Sequence, residues 1–324
     1  MTSIEMIVAA RARLRGEARR TPLLSSPFLD EIAGRRVLVK AECLQHTGSF
    51  KFRGGWSALS GLAPEVRRRG VIAFSSGNHA QGVALAALRH GVPAVIVMPS
   101  DAPRLKIDNT RAFGAEVVLY DRATEDRDAI GARLSQERGL TLVRPFDEPL
   151  VIAGQGTVGL EIAEQAEEEG IAAAEVLVPC GGGGLSAGMA LALEAAAPGL
   201  TLRTCEPEHF DDTARSLAAG RVVRNAAPAG SICDAIVTPE PGAITLPILT
   251  RLAGAGLAVS DEEALHAMAL AFKRLKLVVE PGGAVALAAA LFHGDTLGGD
   301  TVIAVASGGN VDTDLFTETL RRFG

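Results

Sequence analysis

From residue 70 the chain keeps switching hydrophobic period. Short β-branched runs, GVIAF (70–74), PAVIVMP (93–99), AEVVLY (115–120) and LTLVRPF (140–146), alternate with the helical stretches NHAQGVALAALRHG, APRLKIDNTRAFG and TEDRDAIGARLSQERG. Alternation of this kind builds βα units and a parallel sheet. The pattern restarts after PFDEP with a helix over 153–169, strand EVLVP, a glycine run, another helix, strand LRTCE and a late strand in TVIAVASGGN. The spacing predicts an α/β protein of two domains, each an open, mostly parallel sheet flanked by helices. The smaller spans 70–147, and the larger is assembled from 1–69 and 148–324.

Composition fits two such domains. The 324 residues are 48% hydrophobic and 22% charged, enough apolar material for sizeable cores. Acids outnumber bases 38 to 32 without a basic patch, and only 4% of residues are aromatic, so a nucleic-acid partner is not expected. No apolar run approaches the roughly 20 residues of a membrane span. The N-terminal MTSIEMIVAARARLRGEARR carries charge inside a helical pattern and lacks the apolar core of a signal peptide. Cys43, Cys180, Cys205 and Cys233 are far apart and form no CxxC, which reads as buried free thiols in a reducing, cytoplasmic compartment.

VLVPCGGGGLSAGMALALEAA is a strand, four glycines (Gly181 to Gly184) and a helix. Backbone N–H groups converge at such a turn, the helix N-terminus adds partial positive charge, and glycine lets a phosphate come close. Two phosphates compete for it. Gly182, Gly184 and Ala187 satisfy G-x-G-x-x-A, and Glu206 closes the next strand where a dinucleotide's ribose would want an acid, which fits an NAD-dependent oxidoreductase.

Three further segments favour another cofactor. FSSGNHAQG sets Ser75, Ser76, Gly77 and Asn78 on a strand-to-helix turn suited to a carboxylate and a ring oxygen. VASGGN ends another strand with Ser307 at its carboxyl edge, and HTGSFKFRGG supplies the amine of Lys51. A phosphate cradle, an amine, a carboxylate-binding turn and a hydroxyl are together what pyridoxal 5'-phosphate requires, with Lys51 as its Schiff-base lysine.

TGSFKFRGG, SSGNHAQG, AGQGT, PCGGGGL, EPGGA and SGGN, in this order, resemble the tryptophan-synthase-β-like group of pyridoxal-phosphate enzymes, fold type II. Within it they are most similar to the serine/threonine dehydratases and serine racemases, through nearly the whole chain. The resemblance implies that Lys51 carries the cofactor, that Phe50 packs beside its ring, and that Asn78 bonds the ring hydroxyl. It implies further that Gly181, Gly182, Gly183, Gly184 and Leu185 hold the phosphate while Ser307 faces the pyridine nitrogen. Ser75, Ser76, Gly77 and His79 would receive the substrate carboxylate, although His79 reads equally well as a helix N-terminal histidine. Asn310 of SGGN reads as closing the turn after Ser307. A hydroxyl at Ser76 matches the second proton donor of racemase-like relatives. The chain stops soon after SGGN, so feedback through a C-terminal regulatory domain is not expected. A homodimer is.

The implied activity is that of an ammonia-lyase converting a β-hydroxy amino acid, L-threonine or L-serine first, to a 2-oxo acid and ammonia. The alternatives are 3-hydroxyaspartate dehydration and serine racemisation on the same cofactor. In EPEHFDD, Glu206, the carbonyl of Phe210 and Asp212 match the cation site of serine-racemase-like members, and such hard oxygens suit Mg²⁺, Mn²⁺ or Ca²⁺. The same stretch also reads as an acidic loop in which Asp211 or Asp212 caps a helix. The loop CDAIVTPEPGAI, with Thr238, is expected over the substrate side chain, and Arg144 or Arg53 would answer a second carboxylate.

Overall fold

The computed structural model describes residues 2–324 apart from Ser76, Pro103 and Arg122. Among them run ten strands: β1 (Leu23–Ser25), β2 (Arg36–Lys40), β3 (Val71–Phe74), β4 (Ala94–Pro99), β5 (Glu116–Tyr120), β6 (Thr141–Leu142), β7 (Ala174–Pro179), β8 (Leu200–Pro207), β9 (Leu257–Val259) and β10 (Thr301–Val305). They form two sheets. One has the order β1-β2-β10-β7-β8-β9 and is parallel except for the edge strand β1; the other, β5-β4-β3-β6, is wholly parallel.

Helices cover both faces of a parallel sheet, so its inner strands can be apolar at every position. All six residues of β4 are buried, as are four of the five in β10. Helix Pro149–Glu168 packs so closely on Gly184–Ala196 that a Cβ on Gly188 would lie 2.4 Å from the Ile152 carbonyl. That closeness explains the alanine and glycine content of both helices. The first of them starts at Pro149, not 153, because the Glu148 carboxylate accepts from the amides of Leu150 and Val151.

Two sequence expectations differ from the structure. LTLVRPF contributes only Thr141–Leu142 as strand, since beyond Val143 the chain leaves β3 and Pro145 has no N–H to give. Conversely β2, which pairs directly with β10, lies ahead of the segment where the alternating pattern begins. It ends in a fully buried lysine, Lys40, whose Nζ donates to Glu161, Gln165 and the Thr21 carbonyl. A charged strand end of this kind is readable as buried only when Glu161 and Gln165, more than a hundred residues away, are known as its partners.

Candidate active site

The carboxyl ends of β3, β7 and β10 open on one cavity of about 460 Å³. Crevices beyond the carboxyl ends of parallel strands are where open α/β sheets bind ligands. Phe50, Lys51, Ser75, Gly77, Asn78, His79, Gly181, Gly182, Gly183, Gly184, Leu185 and Ser307 all line it. Of the residues assigned to cofactor or substrate from sequence, Ser76 alone lies outside the described residues.

Lys51 opens helix Lys51–Gly61, and its Nζ donates to the Pro145 carbonyl at 2.9 Å, 5.0 Å from the centre of the Phe50 ring. Burial draws its pKa from the ordinary lysine range down to about 8, against a weaker upward pull from the Glu280 carboxylate. A substantial neutral, nucleophilic fraction is therefore present near neutrality.

The glycine turn after β7 has no room for side chains. A Cβ on Gly182 would sit 2.3 Å from the Phe146 ring, and one on Gly184 would be 2.7 Å from Gln155 Oε1. Gly183 has φ of +85° and precedes the first turn of helix Gly184–Ala196, so its left-handed backbone is what exposes the helix N-terminus to the cavity. Thr245 Oγ1 donates to the Gly182 carbonyl at 2.7 Å and pins the turn from behind. The cradle fits a phosphate.

Asn78, first residue of helix Asn78–His90, donates from Nδ2 to Glu280 Oε1 at 2.5 Å and accepts at Oδ1 from Asn310 at 2.7 Å. Asn310 therefore does more than close the turn after Ser307: it orients the Asn78 amide. Glu280, the acid of EPGGA, also lines the cavity, and sequence reasoning missed it. It is 3% exposed, and burial raises its pKa to about 7 despite the nearby Lys106 cation and the Asn78 hydrogen bond. Its signal in the sequence is an acid directly before Pro-Gly-Gly at a helix start.

On the neighbouring turn, Ser75 Oγ accepts from the Gly77 amide at 3.1 Å. His79 is buried, and its Nε2 donates to the Val143 carbonyl at 2.9 Å, which leaves Nδ1 without a partner among the described residues. Burial, with Lys51 nearby, lowers its pKa to about 3, so the imidazole is neutral. It cannot offer a carboxylate a positive charge. Four other histidines are engaged elsewhere: His90 stacks on Trp56, His266 between Phe292 and Phe323, His46 meets Phe52 edge-on, and His293 bonds Glu263.

Arg53 does not reach the cavity. Two positions into the helix that starts at Lys51, it is 1% exposed and is held by Glu42 and Glu161. Arg144 does line the cavity, together with Lys106, Arg127, Asp234 and Thr238.

In EPEHFDD neither aspartate caps the helix Asp212–Ala219. Glu206 does, its two oxygens accepting from the amides of Thr213 (2.9 Å) and Ala214 (2.8 Å). A ribose-binding role for Glu206 has no support in that arrangement. Asp212 is fully buried; Oδ1 accepts from Asn225, and Oδ2 has no partner among the described residues. Burial raises both carboxyl pKa values, that of Asp212 to about 6, and Asp212 pushes Glu206 further upward. Two buried acids with an orphaned oxygen suit a cation, although no cluster of three or more His, Cys, Asp or Glu occurs among the described residues. All four cysteines are buried and free. No helix among the described residues is long and apolar enough to cross a membrane.

Comparison with known proteins is consistent with this geometry. Residues 14–308 match the family described as pyridoxal-phosphate dependent enzyme. The chain is 44% identical to an L-threo-3-hydroxyaspartate ammonia-lyase from a Pseudomonas species, over 99% of both chains. Among solved structures, a threonine deaminase from T.th. superposes with a TM-score of 0.90 at 47% identity, covering 96% of this chain and 99% of that one. Maize serine racemase gives a TM-score of 0.91 at 35% identity, covering 99% and 97%.

Proposed function

This chain belongs to the pyridoxal-phosphate dependent enzymes, and on that premise we propose that it is an ammonia-lyase releasing a 2-oxo acid and ammonia from a β-hydroxy amino acid. One observation carries the reading: a buried lysine amine with a lowered pKa shares a cavity with a glycine turn too tight for any side chain. The relatives act, by their names, on hydroxyaspartate, threonine and serine, which brackets the substrate class.

Bound in this cavity, pyridoxal phosphate supplies a covalent handle for the substrate amine and an electron sink for its Cα–H bond. The amides of Gly181 to Gly184 and Leu185 would hold its phosphate, Phe50 its ring face, the second Asn78 N–H its ring hydroxyl and Ser307 its ring nitrogen. A neutral hydroxyl there leaves that nitrogen free of a compulsory charge. Lys51 would hold the cofactor through its amine, and that amine, partly neutral near pH 8, would be the group placed to accept the substrate Cα proton. Loss of the β-hydroxyl as water leaves an enamine product that hydrolyses. The turn at Ser75 and Gly77 would offer donors to the substrate carboxylate, and neutral His79 would brace it through Val143.

Several finer assignments belong to the same proposal. Glu206, the Phe210 carbonyl and Asp212 would bind Mg²⁺, Mn²⁺ or Ca²⁺, supported by the orphaned Asp212 oxygen. The domain division 1–69 with 148–324 and 70–147 follows the two sheets, one of which draws every strand from Val71–Leu142. A homodimer is supported by exposed Phe28, Ile32 and Val278, and a cytoplasmic site by the buried free thiols. The test is direct. Purified protein should be yellow, lose that colour on borohydride reduction, and release 2-oxo acid and ammonia in equal amounts. A colourless protein that binds NAD would overturn the reading.

A further inference from the structure

Resting on that reading of the cavity, we propose that Arg144 recognises a second carboxylate carried on the substrate's β-carbon. The preferred substrate is then a β-hydroxy dicarboxylic amino acid, not serine or threonine. Arg144 lies on the segment that closes the cavity beside the reacting amine. Its neighbour Pro145 accepts the hydrogen bond from Lys51, and Phe146 lies against Gly182. Arg144 lines the same cavity, is exposed, and has no hydrogen bond or ion pair among the described residues. Arg53, the other candidate, is spent on Glu42 and Glu161.

The charges of the cavity leave a place for one more anion. Its acids are Asp234, which pairs with Lys106 at 3.6 Å, and Glu280, which accepts from Asn78; Arg127 lines the cavity too, but is engaged in an interaction of its own. Lys51 is committed to the cofactor, and the glycine turn to its phosphate. A serine or threonine zwitterion presents a single carboxylate, and the turn at Ser75 and Gly77 receives it. A methyl group offers a guanidinium no acceptor and a hydroxymethyl group only one neutral oxygen. A second carboxylate answers the guanidinium through the planar fork that Arg offers and Lys lacks. The reaction itself is unchanged: Cα–H and Cβ–O break, water leaves, and hydrolysis of the enamine gives ammonia and a 2-oxo dicarboxylic acid.

The test compares kcat/KM for L-threo-3-hydroxyaspartate, L-serine and L-threonine in wild type, Arg144→Gln and Arg144→Lys holoenzymes. Wild type should favour the dicarboxylate. In Arg144→Gln the ratio of dicarboxylate to serine kcat/KM should fall about 10- to 100-fold, the loss of a charge-assisted hydrogen-bonded pair, chiefly through KM. Arg144→Lys should recover part of it. Independently of turnover, succinate should raise the melting temperature of wild type and not of Arg144→Gln, whereas propionate should raise neither. An unchanged ratio, equal losses on all three substrates, or wild type that prefers serine or threonine would overturn the proposal. Yellow holoenzyme that eliminates from none of the three would instead overturn the parent reading.

Discussion

Glu280 Oε1 accepts from Asn78 Nδ2 at 2.5 Å, across 202 residues of chain. Asn78 follows a strand of the four-stranded sheet, and Glu280 immediately precedes a helix packed on the six-stranded one. The bond therefore ties the two halves of the cavity together and fixes which way the Asn78 amide points. Glu280→Gln keeps an acceptor and should retain most cofactor affinity. Glu280→Ala leaves the amide half-satisfied and should cost about 1–3 kcal/mol in stability or in cofactor binding. Titration of apoprotein with cofactor and a double-mutant cycle with Asn78→Ala measure it; additivity of the two single changes would mean that the bond has no energetic consequence.

The amine of Lys51 should set the pH dependence of cofactor uptake. Only its neutral form attacks the aldehyde, so the rate at which apoprotein turns yellow should rise with pH and level off above about 8, well below an ordinary lysine. The Glu280 carboxylate pulls that pKa upward, so Glu280→Gln should move the inflection to lower pH. An inflection near the ordinary lysine value in wild type would contradict the buried environment. Lys51→Ala should remain folded and lose colour, with turnover down by roughly 10²- to 10⁴-fold from loss of the base alone.

Chelation should lower the melting temperature, and Mg²⁺, Mn²⁺ or Ca²⁺ should restore it. A cation at roughly a hundred times its Kd adds about 2.7 kcal/mol by binding the folded state alone. Asp212→Asn should abolish the cation response while leaving the Glu206 cap of the following helix intact. Asn225 bridges Asp212 Oδ1 and the Thr238 carbonyl, and since asparagine keeps an Oδ1 acceptor the loop beside the cavity should stay in place. Unaltered melting after exhaustive chelation would return EPEHFDD to an ordinary acidic loop.

Gly183→Ala should damage the cofactor site beyond its effect on stability. The new Cβ would stand 2.8 Å from Thr245 Oγ1 on a backbone with φ of +85°. Gly170 has φ of +68° with nothing within 4 Å of a Cβ, so Gly170→Ala isolates the conformational cost, about 1–2 kcal/mol. Cofactor affinity should drop at least about tenfold in the first variant only, since a shift of one cradle amide forfeits a charge-assisted bond.

Racemisation provides a separate test of Ser76. A single base works one face of the substrate, so inversion needs a second proton donor. Wild type should form some D-serine from L-serine during elimination, and Ser76→Ala should suppress it more than elimination. Chiral chromatography beside 2-oxo-acid release decides; absence of D-serine under active elimination leaves Ser76 as a carboxylate donor only.

Alternating periods, glycine-rich turns and one lysine are enough to read the strand-and-helix order after residue 70 and the chemistry of the cofactor, because both are written in local spacing. β2 escapes such a reading, since its closing lysine looks solvated until Glu161 and Gln165 are seen around it. Tertiary structure alone separates Arg53 from Arg144. Both are arginines near glycine-rich or proline-rich loops, but one meets buried Glu42 and half-buried Glu161 and the other meets the cavity. Charge, pKa and hydrogen bonding depend on which distant segments the fold brings within a few ångströms, and that proximity leaves no trace in the spacing of a single chain.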